Sequence, residues 1–219
     1  MHVAVAGAAP PLDPLELASQ GPVIPVVVIE QAVHAVPMAR PLLAGGVRVV
    51  EVTLRTPAAI AAIAAIAQAI PEVIVGAGTV RSGADARAAL AAGARFAVSP
   101  GFSPRVAAAC REIGLALLPG VATASEVMQA AEDGFRFLKF FPASAAGGTA
   151  MLKAWSSVFA DVSFCPTGGI TAASAPDYLA LANVRVVGGS WLTPPDALAA
   201  ADWPRVEALA REAASLAPR

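Results

Sequence analysis

The chain has 219 residues, a formal net charge of −1, 57% hydrophobic residues and 14% charged ones. That length suits one domain with a sizeable core, and the near-neutral charge gives no electrostatic reason to expect nucleic acid or an anionic membrane surface as a partner. The longest apolar run, residues 58–67, is too short to span a bilayer, and the start of the chain lacks the basic flank of a signal peptide and is broken by Pro10-Pro11.

The first expected element is a short helix over 13–19, placed at the bottom of the fold. Strands rich in β-branched or aromatic residues are then expected over 23–29, 48–54, 73–77, 95–99, 115–119, 136–141, 162–165 and 184–188. Their spacing, roughly one strand–helix unit each, is that of a parallel fold. Helical periodicity separates them. It is clearest at Ile60, Ile63, Ile66 and Ile70, after the helix-start signal Thr56-Pro57. Gly45-Gly46, Gly93, Gly114 and Gly134 stand where helices end before the next strand. Eight β/α units in one domain over 1–219 predict a (β/α)8 barrel, with 1–21 as an N-terminal extension and helix; the same alternation also builds an open doubly wound sheet.

A barrel places chemistry where strands end and the following loops begin. Special residues do collect there: Glu51 and Arg55, Gly76 to Thr79, Ser99-Pro100-Gly101, Pro119-Gly120, Lys139, Pro166 to Gly169, and Gly188 to Ser190.

Thirteen arginines accompany only two lysines, Lys139 and Lys153. A lysine, unlike an arginine, loses its proton when desolvated and becomes a nucleophile. Lys139 lies in Phe137-Leu138-Lys139-Phe140-Phe141-Pro142, and alternation puts Phe137, Lys139 and Phe141 on one strand face. The competing reading is a strand-end lysine reaching into solvent; Lys153, in a helix, is expected to do that. Glu51 shares a face with Val49 and Thr53 on a strand built for burial, so its carboxylate needs a partner. A salt bridge to Arg48 or Arg55 is one outcome, and general acid–base work beside an imine is the other.

Thr167-Gly168-Gly169 and Gly188-Gly189-Ser190 follow the seventh and eighth strands, the recurrent phosphate position of barrels. Glycines there let the backbone approach an anion, although tight turns also use glycine. Arg55 and Thr79 stand above other strands, where a guanidinium grips a carboxylate. His34 is expected mid-helix and His2 in the terminal segment, neither placed as a base. The two cysteines, Cys110 and Cys165, suggest buried thiols in a reducing cytoplasm rather than a disulfide framework. No metal-ligand spacing or dinucleotide fingerprint is present.

Glu51-Val52-Thr53-Leu54-Arg55, Gly76-Ala77-Gly78-Thr79-Val80, Ser99-Pro100-Gly101, Lys139-Phe140-Phe141-Pro142, Cys165 to Ile170 and Gly188 to Leu192 together resemble the 2-keto-3-deoxy-6-phosphogluconate (KDPG) aldolase family, also known for 4-hydroxy-2-oxoglutarate (KHG). The match runs in order from about Pro22 to the end. It implies a TIM barrel, a homotrimer, no metal or other cofactor, and class I chemistry in the Entner–Doudoroff pathway. It implies Lys139 as the Schiff-base lysine and Glu51 as the proton shuttle. Arg55 and Thr79 would hold the pyruvate carboxylate, with Pro100 and Phe141 packed around it. Thr167, Gly168, Gly169, Gly189 and Ser190 would hold the phosphate. Ser144-Ala145-Ala146-Gly147-Gly148 departs from the family's usual Glu-Ala-Asn-Gly-Gly, which bears on loop hydrogen bonding and substrate tolerance. Competing functions are a 2-keto-3-deoxy-6-phosphogalactonate aldolase, a phosphosugar isomerase or epimerase on the same barrel, and a non-catalytic sugar-phosphate sensor. Trp155 and Phe159 are expected to be exposed, as an interface would require.

Overall fold

The computed structural model of the chain describes residues 12–216; His2 and Pro10-Pro11 lie outside them. Every paired strand is parallel. The strands are β1 (Val23–Val27), β2 (Val49–Thr53), β3 (Ile74–Gly78), β4 (Phe96–Val98), β5 (Ala116–Leu118), β6 (Gly120–Val121), β7 (Phe137–Phe140), β8 (Ser163–Pro166) and β9 (Val187–Gly189). They fall within about three residues of the expected runs, save that the fifth run is split at Pro119, which has no backbone N–H to give a ladder. The result is a curled parallel sheet in two parts: β5-β4-β3-β2-β1-β9, and β6-β7-β8. Isolated bridges pair Phe164 with Val184 and Thr167 with Gly188.

The helices are α1 (Pro14–Ala18), α2 (Ala35–Ala44), α3 (Ala59–Ala69), α4 (Gly83–Ala91), α5 (Pro104–Glu112), α6 (Ala124–Glu132), α7 (Gly148–Val158), α8 (Ala175–Leu179), α9 (Pro195–Ala199) and α10 (Trp203–Ala214). Sequence chemistry sets their ends. Thr123 and Glu126 form a reciprocal capping box on α6, and Ser82 caps α4 by accepting from the Asp85 N–H. Gly46, Gly93, Gly114 and Gly134 all take positive φ after helices, as expected. The start of α3 differs from expectation: it begins at Ala59, because the Thr56 hydroxyl donates to the Ile29 carbonyl instead of capping. No helix among the described residues is long and apolar enough to cross a membrane.

Strand alternation divides the core in two. Ile24, Val49, Phe96, Val98, Leu118, Phe137, Cys165 and Val186 pack together on the inner face, with Leu17 of α1 fully buried against them. Leu138, Phe140 and Phe164 instead join the layer between strands and helices. Trp155 belongs to that layer, and the expectation of an exposed Trp155 is corrected. It is 5% exposed, with its ring centroid 5.2 Å from Phe140 and 5.5 Å from Phe164, and Phe159 packs partly buried beside it. Position 155 is on the face of α7 that meets the sheet, where aromatic burial is worth most. Trp155→Ala is therefore expected to lower unfolding free energy by about 3–5 kcal/mol, read from urea denaturation.

Candidate active site

Parallel register brings two inner-face polar residues to one level. Glu51 on β2 pairs with Gly76 of β3, and Lys139 on β7 pairs with Gly120 of β6 and Cys165 of β8. Both side chains point to the interior, where Lys139 Nζ donates to Glu51 Oε1 at 3.2 Å. The two residues are 4% and 3% exposed. Lys139 therefore does not reach into solvent, and the partner of Glu51 is neither Arg48 nor Arg55. A buried carboxylate and ammonium cost much desolvation energy singly, and the pair offsets that for both. It also gives the ammonium a proton acceptor at contact distance, so one transfer yields a neutral amine. The Phe141 ring lies 5.2 Å from Nζ and covers it. Lys153 is exposed, as expected.

Cys165 stands beside this pair. Burial pushes its thiol up to about 12, against the smaller pull of Lys139 and the Thr167 hydroxyl. It is a thiol, not a rival nucleophile.

Gly78 makes the ion pair possible. A Cβ there would overlap the Glu51 carboxylate. We expect Gly78→Ala to displace that group and to lower turnover about 10²-fold, as misplacement by an ångström does. Steady-state rates, with a thermal melt to verify folding, check this.

Phe141, which covers Lys139 Nζ, also lines a cavity of about 760 Å³, within the range of small-molecule sites; neither Lys139 nor Glu51 is among its lining residues. Arg55, Phe141, Thr167, Gly168, Gly169 and Ser190 line it. Thr79, Pro100 and Gly189 do not, yet each shapes the site. Thr79 Oγ1 accepts from Arg55 Nε at 3.4 Å, and Thr79 has φ of +60°, a conformation that costs a β-branched residue about 1–3 kcal/mol. The Pro100 carbonyl packs against Gly120, and Gly189 lies under the Trp191 ring. Gly168 and Gly169 have φ of +99° and +74°, strained for any side chain, so the loop after β8 uses conformations that favour glycine.

Part of the cavity wall comes from residues that the strand-end motifs do not mark. Ile29, Glu30, Gln31, His34 and Met38 come from the connection after β1 and from α2, and Thr193, Pro195 and Leu198 from around α9. His34 ends a 3-10 turn, Ala32–His34, rather than lying mid-helix. The signal was the polar pair Glu30-Gln31 at the end of β1, the end at which barrels place function. Among the described residues, no three His, Cys, Asp or Glu side chains group as a metal site.

The chain that carries these groups has close relatives among known proteins. Residues 16–209 match the model of the KDPG and KHG aldolase family. The KHG/KDPG aldolase of Escherichia coli K12 is 52% identical over 193 residues, covering 88% of this chain and 91% of its own. The 2-dehydro-3-deoxy-phosphogluconate aldolase of Pseudoalteromonas atlantica is 50% identical over 195 residues, covering 89% and 91%. A crystal structure of KDPG aldolase from Legionella pneumophila, with pyruvate captured as a covalent carbinolamine, superposes with a TM-score of 0.91 at 45% identity, covering 93% of this chain and 99% of that one. With a match across most of its length and half its residues shared, the chain belongs to the KDPG and KHG aldolase family.

Proposed function

We propose that this chain is a class I aldolase that cleaves KDPG to pyruvate and glyceraldehyde 3-phosphate, and KHG to pyruvate and glyoxylate. The observation that carries the reading is the buried Lys139–Glu51 contact, covered by Phe141, which also lines the cavity bordered by the glycine loop after β8. Glu51 takes a proton from Lys139, and the neutral amine attacks the substrate C2 ketone. Glu51 returns that proton to the carbinolamine hydroxyl, which leaves as water and gives an iminium; the carboxylate is restored, and the iminium nitrogen accepts the electron pair displaced as the C3–C4 bond breaks. Glu51, through a water, removes the C4 hydroxyl proton and the aldehyde leaves. Protonation of the enamine at C3 and addition of water release pyruvate and restore the amine. The iminium is the electron sink, so this scheme calls for no metal or organic cofactor.

Arg55 and Thr79 hold the carboxylate of the pyruvate half, with Pro100 and Phe141 packed around it. Thr167, Gly168, Gly169, Gly189 and Ser190 hold the phosphate end. The two sheets complete one (β/α)8 barrel through the β8–β9 bridges, in a single domain over 1–219 with 1–21 as extension and helix. A homotrimer working in the cytoplasm completes the reading; light scattering is expected to return three times the 21.9 kDa chain mass.

Borohydride reduction in the presence of pyruvate tests the chemistry. One adduct is expected, on the peptide carrying Lys139. No adduct, or one on Lys153 alone, would end the proposal.

A further inference from the structure

Three side chains able to carry charge line the cavity: Glu30, His34 and Arg55. Arg55 follows β2, and its Nε turns to Thr79, which follows β3. Across the sheet in the other direction the order is β2-β1-β9, and Pro25 of β1 pairs with Gly189 of β9. The segment after β1 therefore neighbours the loop that begins at Gly188, and His34 is its one basic side chain. The Trp203 ring of α10 meets the imidazole edge-on at 6.0 Å and limits its orientation. Among the described residues, the imidazole nitrogens have no hydrogen-bond partner, whereas the His34 backbone N–H donates to Gln31.

The glycine loops and the hydroxyls of Thr167 and Ser190 offer only neutral donors to an anion. A phosphate ester carries nearly two charges at neutral pH, and an anion in a largely apolar pocket is costly without a counter-charge. No lysine or other arginine lines the cavity among the described residues. We propose that His34, as imidazolium, is the counter-ion of the phosphate ester and sets the preference for phosphorylated over unphosphorylated substrate. The identity of the substrate rests on the aldolase reading; binding of a phosphate ester does not.

The charged groups on the elements around His34 are few. Glu30, on the same segment, is exposed. Helix α3, packed against this turn, carries no ionisable side chain. Arg40 of α2 is exposed. Asp196 of α9 pairs with Arg205 of α10 at 2.6 Å, and Asp202 accepts from the Arg205 N–H. Binding through an imidazolium predicts that affinity for the phosphate ester falls as pH rises and the ring gives up its proton.

Calorimetry with glycerol 3-phosphate and steady-state kinetics on KDPG and KHG, for wild type and His34→Gln at pH 6.5 and 8.5, test this. At pH 6.5 the variant is expected to bind glycerol 3-phosphate about tenfold more weakly, the loss of one charge-assisted hydrogen bond. Its KM for KDPG is expected to rise by a similar factor relative to its KM for KHG. The gap between wild type and variant should narrow at pH 8.5. Equal affinities of the two proteins at pH 6.5, or equal rises in both KM values, would overturn the proposal. Phosphate binding that depends on His34 in a protein that cleaves neither substrate would leave this inference standing and remove the aldolase reading instead.

Discussion

Lys139→Met is expected to lower cleavage of KDPG by at least about 10⁴-fold and to abolish the borohydride adduct with pyruvate. Loss of a covalent nucleophile removes the step on which the others depend, so the effect is large and not partial. Methionine keeps length and apolar character, so packing against Phe141 is retained. The substitution nevertheless leaves the Glu51 carboxylate buried and unpaired, a defect worth about 3–5 kcal/mol. Stability and catalysis thus fall together in the single variant, and a second one separates them. Lys139→Met with Glu51→Gln removes the orphan charge; it is expected to recover most of the stability in urea denaturation and none of the activity. A double variant that remains as unstable as the single one would show that the 3.2 Å contact is not what holds the two groups in place.

Glu51→Gln alone is expected to lower kcat about 10²–10⁴-fold, the range for a positioned general base. Glutamine preserves shape and can still accept a hydrogen bond from Lys139, so imine formation with pyruvate persists more slowly and the adduct remains trappable. Proton movements should suffer most. Exchange of the pyruvate methyl hydrogens with solvent deuterium, followed by NMR, should slow in step with cleavage. Cleavage at the wild-type rate would remove Glu51 from the chemistry while leaving Lys139 untouched. Because Gly78→Ala acts on the same carboxylate through overlap, it should add little to Glu51→Gln in a double variant.

Much of this site is legible along the chain because its signals are local. Alternation of residues 137–141 placed Lys139 opposite Leu138 and Phe140, and the two core layers divide in that way. Glycines after helices and special residues after strands follow from backbone sterics and from the direction of parallel strands. At Trp155 and His34 the local signals are ambiguous. Trp155 has exposed residues on both sides in the sequence, and only docking of α7 on the sheet decides which face it serves. His34 is in a stretch whose pattern allows one long helix, whereas Thr56 binding to Ile29 and the turn at Ala32–His34 shape a cavity wall there.

The order of strands and helices, the strand face that carries Lys139, the glycine loops and the family can all be read along the chain. The fold is what shows that Glu51 meets Lys139, 88 residues away, that Gly78 is bare to admit that carboxylate, and that His34 lines one cavity with Gly188 and Ser190. The reason is range. Periodicity and turn chemistry act over a few residues, whereas the partner of a buried charge depends on sheet order and register, which no short stretch of chain encodes.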